Sequence, residues 1–132
     1  MFTPIIKLEY SDARGEIYSI ALPGDRELML LHSVEGSLRG GHCHDVDEVV
    51  MVLTGSLQYW KRTEEGSETT FGMYAGESVF HRAGNYHLGE FLEDTWLIEW
   101  KIGTDKNGWV NIDDPVWRER VKANAAHLSD RP

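Results

Sequence analysis

The chain has 132 residues and a formal net charge of −9, with 41% hydrophobic residues, one cysteine and 13 glycines. That length supplies one hydrophobic core and leaves no room for a second, so a single domain over residues 1–132 is expected. The acidic balance excludes nucleic acid as a partner, because no basic stripe is available to displace counterions.

No apolar run exceeds the five residues from Val49 to Leu53, so no segment reads as a membrane span. The start, Met1 to Lys7, lacks the apolar stretch of a secretory signal. The lone Cys43 forbids an internal disulfide, which fits a reducing cytoplasm.

In chain order, Ile5 to Tyr10 and Glu16 to Ala21 alternate as strands around an Asp12-Ala13-Arg14-Gly15 turn. Leu28 to Ser33 reads as a buried strand, and Leu38 to His44 as the next. Glu48 to Leu53 and Leu57 to Arg62 form a bent pair through Thr54-Gly55, and Thr63 to Ser67 is a hairpin tip. Thr69 to Met73, Ser78 to His81, His87 to Leu92 and Thr95 to Ile102 complete an all-β pattern of sandwich or barrel type. The tail differs. Asp114 followed by Pro115 is a helix start, and Trp117, Val121, Ala125 and Leu128 make one apolar stripe on a helix to about His127. The stripe either covers an edge or mouth of the barrel or meets a second copy in a homodimer.

The chemistry concentrates at His42, His44 and Glu48, joined downstream by His87. Five residues separate Gly36 from His42, three separate His44 from Glu48, and six separate Glu48 from Gly55. This frame arises by chance on the order of a few times in ten thousand such chains. Strand alternation points His42 and His44 to one face, and Glu48 joins them if the next strand resumes in phase. Imidazoles and a carboxylate on one inner surface suit a borderline divalent cation. The alternative is a structural set of hydrogen-bonded histidines. Three neutral imidazoles and one carboxylate leave one or two coordination positions open on one divalent transition metal, and Fe, Mn, Zn, Ni and Co all fit.

Around Gly76, Gly84 and His87 a second glycine-and-histidine motif follows, and with it the chain resembles a small single-domain cupin, an RmlC-like jelly roll. Twenty residues separate Gly55 from Gly76. Arg82 stands where the family usually has proline, and Phe91 where it usually has asparagine. The resemblance spans roughly Gly15 to Lys101. It implies a double-stranded β-helix, here with a short C-terminal α-helix, and metal ligands His42, His44, Glu48 and His87. A narrower likeness lies in Asp12-Ala13-Arg14-Gly15 and Arg39-Gly40-Gly41-His42-Cys43-His44, which are similar to motifs of cupin-fold sugar-nucleotide ketoisomerases and epimerases. In that group the histidine pair can act as acid and base, and not every member needs metal.

Beyond the ligands, His81, Tyr86 and His32 are the acid–base candidates, His81 at the rim and His32 on a strand preceding the site. A plain surface or hydrogen-bonded histidine is the competing reading of His81. Arg39 and Arg82 are placed to clamp a carboxylate or phosphate. Tyr59, Trp96 and Trp100 are core residues by default, and pocket lining where they face inward. Cys43, between the histidines, should point away from them. Three functions follow for a small-molecule substrate or ligand: an isomerase, epimerase or lyase on a hydroxylated or carbonyl compound; a non-haem iron dioxygenase; or a non-catalytic ligand-binding cupin.

Overall fold

The computed structural model describes residues 5–130, which form two antiparallel sheets and one helix. In chain order the strands are β1 (Ile5–Asp12), β2 (Gly15–Leu22), β3 (Arg26–Ser33), β4 (Leu38–His44), β5 (Glu48–Thr54) and β6 (Ser56–Arg62). Then follow β7 (Glu68–Tyr74), β8 (Ser78–His81), β9 (Tyr86–Phe91), β10 (Thr95–Lys101), β11 (Asn111–Asp113) and the helix α1 (Pro115–Ser129). One sheet runs β1-β2-β3-β10-β5-β8 and the other β11-β4-β9-β6-β7. The strands expected from the sequence all form. β11 is additional, and its three polar-flanked residues were too short a run to carry an alternation signal.

Period-2 alternation decides what each strand contributes. On β9, His87, Gly89 and Phe91 face the space between the sheets, while Tyr86 and Leu88 face the helix. On β10, Leu97, Glu99 and Lys101 face inward, and Trp96 stacks on His32 on the other side of the sheet. The inner core of Leu31, Val50, Val52, Leu57, Tyr59, Met73, Phe91 and Leu97 fills one part of the barrel and leaves the remainder open.

Strand β4 breaks its alternation at a critical point. Arg39 and His42 are three residues apart and both line the interior, which strict alternation forbids. The register explains it: Gly40 pairs with Leu88 and His42 with His87, so Gly41 is an extra, bulged residue. Both glycines have positive φ, +99° and +80°, and a Cβ at Gly40 would lie 2.7 Å from the His87 carbonyl oxygen. The bulge seats His42 directly opposite His87.

The helix begins as the sequence predicts. Asp114 accepts a hydrogen bond from the Trp117 amide at 2.8 Å, and Pro115 opens the first turn. Trp117 and Val121 pack on Leu38 and Leu88, so the stripe covers the outer face of β4 and β9. The helix hangs on the bulge as well: the Asp114 amide donates to the Gly41 carbonyl at 2.8 Å and Arg118 Nη1 to the Gly40 carbonyl at 2.9 Å.

Candidate metal centre and its cavity

Two cross-strand rows face one another across the barrel. In the larger sheet Lys101 pairs with Glu48, and Glu48 with His81, across β10, β5 and β8. In the smaller sheet Asp113 pairs with His42, and His42 with His87, across β11, β4 and β9. His44 follows on β4, opposite Asn111.

The rows bring together two groups able to hold a cation. Ligand atoms of His42, His44 and His87 all lie within 4.8 Å of one another, and those of Glu48, His81 and His87 do the same. Ring centroids are 4.7 Å apart for His42 and His44, and 5.0 Å for His42 and His87. Glu48 Oε2 lies 3.1 Å from His44 Nε2, and Oε1 lies 3.7 Å from His87 Nε2. Nδ1 of His44, Nδ1 of His87 and Oε2 of Glu48 are buried without a hydrogen-bond partner. Leaving a buried polar atom unsatisfied costs about 1–3 kcal/mol, so imidazoles with free nitrogens around one point fit a metal better than a structural cluster.

Electrostatics keep the rings ligand-competent. Burial, reinforced by neighbouring His44, lowers the His42 imidazole to about 3. Burial and the His81 charge push His87 well down. These imidazoles are therefore neutral at neutral pH, the form that binds metal. Burial alone would raise the Glu48 carboxyl, but the His44 ring beside it and the Lys101 and His87 charges hold it well below the usual carboxylate range.

A cavity of about 490 Å³ opens on the three histidines. Arg14, Arg39, Tyr59, Glu99, Lys101 and Trp109 are the polar and aromatic groups of its wall that bear on chemistry. Arg39 is 8% exposed; its Nε donates to Ser33 Oγ at 2.7 Å and Nη2 to the His32 carbonyl at 3.1 Å. Burial and the Arg14 charge lower its guanidinium to about 10, still charged at neutral pH. Burial and the Glu48 charge push the Glu99 carboxyl up to about 7. Burial raises the Tyr59 phenol.

Of the residues singled out by sequence, His42, His44, His87, Arg39 and Tyr59 line this cavity, and Glu48 adjoins the histidines. His81 adjoins Glu48 and His87 without lining the cavity, and the other five are placed elsewhere. His81 is not at the rim: it is 1% exposed, stacked on His87 at 4.1 Å, and neither ring nitrogen has a hydrogen-bond partner. His32 lies on the far face of β3, within 3.2 Å of Glu16 and stacked on Trp96. Tyr86 packs beside the helix, with the Arg62 guanidinium 4.8 Å from its ring. Cys43 is buried beside Tyr86, away from the histidines as expected. Arg82 is exposed. Trp96 shares the face of His32, and Trp100 lines a second cavity of about 420 Å³.

Sequence reasoning missed Glu99, Lys101 and Trp109. The parity of β10 was the available signal for Glu99 and Lys101, whereas Trp109 lies in the loop before β11 and carried no alternation signal. Reading the tryptophans as the inner set followed the rule that aromatic residues are buried, but a functional interior takes the charged set instead.

No protein-family model matches the chain, and no curated protein matches it in sequence. Solved structures do match. The capsular polysaccharide assembling protein CapF from Staphylococcus aureus superposes with a TM-score of 0.67 at 20% identity, over 86% of this chain and 33% of that one. The 7S globulin of Momordica charantia gives 0.67 at 13%, over 80% and 34%. A variant of Bacillus subtilis oxalate decarboxylase gives 0.63 at 16%, over 98% and 37%. The chain thus spans about a third of the length of the structures it resembles. All three are jelly rolls of one kind, and the two facing sheets, the glycine turns and the paired histidine strands of this chain follow the same plan. The chain has the cupin fold, an RmlC-like double-stranded β-helix closed by a C-terminal helix.

Proposed function

We propose that this chain is a metal-dependent enzyme that transfers a proton on a small hydroxylated or carbonyl compound, as an isomerase, epimerase or lyase does. The observation that carries this reading is the convergence of three histidines and Glu99 on one cavity of about 490 Å³. That volume lies within the range typical of small-molecule pockets. His42, His44 and His87, with Glu48 beside them, would hold a divalent transition metal that supplies Lewis-acid polarisation of a bound oxygen.

The remaining work falls to the wall. Arg39 makes no ion pair among the described residues, so its guanidinium binds a carboxylate or phosphate of the substrate. Glu99 Oε, raised to about 7, can give and take a proton near neutral pH. Ile17, Met29, Leu31, Phe91 and Leu97 form the apolar side that excludes water. Two facts about structural neighbours support a metal and a chelating ligand here. Oxalate decarboxylase of Bacillus subtilis has Mn(II) centres, and CapF has been solved with the inhibitor 3-isopropenyl-tropolone. A tropolone presents two adjacent oxygens, the donor set an open metal position takes.

The test begins with elemental analysis of protein purified without nickel resin or chelator. The protein is then incubated in D2O with hydroxy acids, keto acids and sugars, and deuterium incorporation is followed by NMR. Exchange that falls at least a hundredfold in Glu99→Gln, with metal content unchanged, supports the proposal. Oxygen consumption with bound iron would replace it with the dioxygenase reading. Thermal stabilisation by a ligand without turnover would make the chain a binding protein.

A further inference from the structure

Alternation on the six-stranded sheet turns Leu31, Val50, Val52 and Leu97 to the core, so the residues between them face away from it. That outer face is apolar from one edge of the sheet to the other. Leu8 pairs with Tyr18, Tyr18 with Leu30, Leu30 with Ile98, Ile98 with Met51 and Met51 with Ser78, one unbroken row across all six strands. Beside it Ile6 pairs with Ile20 and Ile20 with Leu28, while Trp100 pairs with Val49 and Val49 with Phe80. Neither row holds a charged residue.

An antiparallel sheet with one face on a core commonly presents polar side chains on the other. Nothing among the described residues packs over the apolar ones here. The helix lies on the opposite sheet, and neither hydrophobic core includes a member of the two rows. Ile6, Leu8 and Phe80 are 62%, 53% and 45% exposed, and the other apolar members are half-buried, sheltered by their neighbours in the sheet. Six strands at ~4.8 Å spacing, each with about three outward residues, make a face on the order of 600 Å² in projection. That matches the largest apolar patches of ordinary monomers and approaches the ~800 Å² that each partner buries in a standard interface.

We infer that a second copy of this chain covers the face, the two six-stranded sheets packing back to back about a twofold axis. A twofold contact needs only one self-complementary patch, and sheets stack ~10 Å apart through interdigitating apolar side chains. Charge selects the same face. Two chains of net charge −9 repel wherever their charged surfaces meet, and these rows carry none. A lipid surface is the poorer match, because the ionisable group at the end of the face is His32, set between the carboxylates of Glu16 and Asp94, with no basic fringe to meet anionic headgroups. The contact braces β10, whose Ile98 and Trp100 meet the partner while Leu97, Glu99 and Lys101 wall the cavity on the reverse side.

Sedimentation equilibrium over about a hundredfold range of protein concentration provides the test. The wild type should give twice the 15.1 kDa chain mass, with or without added metal. Ile98→Glu sets two unpaired carboxylates at the centre of the contact and should raise the dimer Kd by about a hundredfold or more, with far-UV circular dichroism unchanged. Leu8→Glu changes a side chain already exposed in the single chain, so it folds in any case and should weaken the dimer about tenfold; it decides the matter if Ile98→Glu does not fold. Val116→Glu, on the exposed side of the helix, should leave the dimer intact. A wild type of single-chain mass across the range overturns the inference, and co-sedimentation of that monomer with phosphatidylcholine vesicles would assign the face to lipid instead. A dimer that Ile98→Glu and Leu8→Glu both leave intact, or that Val116→Glu dissociates, has its contact elsewhere and overturns the inference as well.

Discussion

Glu99→Gln should make the protein more stable at alkaline pH than the wild type, and the size of the gain is calculable. In the unfolded chain this carboxyl ionises at 4.5, whereas in the barrel burial and the Glu48 charge hold it up to about 7. The folded state therefore binds its proton more tightly than the unfolded state does. That contribution to stability is complete below pH 4.5 and is lost as pH rises through 7. At 1.36 kcal/mol per pH unit the gap is worth ~3 kcal/mol, and because the side chain is 22% exposed to the cavity we take ~2 kcal/mol. His42 and His81, lowered by burial to about 3 and 4, act with the opposite sign. They cost stability as pH falls below about 6.5. Both proteins carry them, so they cancel in the difference. Urea unfolding of chelator-treated wild type and Glu99→Gln at half-unit steps from pH 4 to pH 8 gives the curve. The stability difference should move toward the variant by ~2 kcal/mol, mostly between pH 5 and 7.5. A difference that stays flat across that range would mean Glu99 ionises normally in the fold, and its role as proton carrier at neutral pH would go with it.

Three further outcomes are expected. His44→Ala should abolish the rise in melting temperature that added metal gives the wild type; at a hundredfold excess over Kd that rise corresponds to about 2.7 kcal/mol, read by a thermal shift with and without metal. Leu88→Ala, at a fully buried position between β9 and the helix, should cost about 2–5 kcal/mol in urea unfolding while leaving metal content unchanged. Asp114→Ala removes the helix cap and an ion pair with Arg62, and should cost about 1 kcal/mol by the same measurement, or more where the pair is shielded.

The clustering of His42 with His44, most strands and the helix start were legible because each rests on a local rule. Alternation placed His42 with His44 and turned Cys43 away, and Asp114 with Pro115 marks a helix start wherever it occurs. What could not be read depends on pairing between strands. That Gly41 is a bulged residue follows only from the His42–His87 register. Lys101 meets Glu48 because β10 neighbours β5, which pairs residues 53 positions apart in the chain. His81 was read as an edge residue because histidines commonly sit at such edges, yet it is buried and stacked on His87. On β10 the cavity wall takes Leu97, Glu99 and Lys101, so the tryptophans Trp96 and Trp100 fall on the opposite face, against the rule that aromatic residues turn inward.

The β4 bulge has a mechanical consequence. Its two carbonyls carry the first turn of the helix, and the next residue along the strand is His42. The tail is therefore a lever on the centre rather than a cover laid over it, with the fulcrum at Gly40 and Gly41. Load on the exposed side of the helix, from a fusion partner, a surface immobilisation or a neighbouring domain, is therefore delivered to the strand immediately before His42. The hairpin tip at Glu65 to Ser67 is exposed and makes no hydrogen bond to β4 among the described residues, so a tether there puts no load on the bulge.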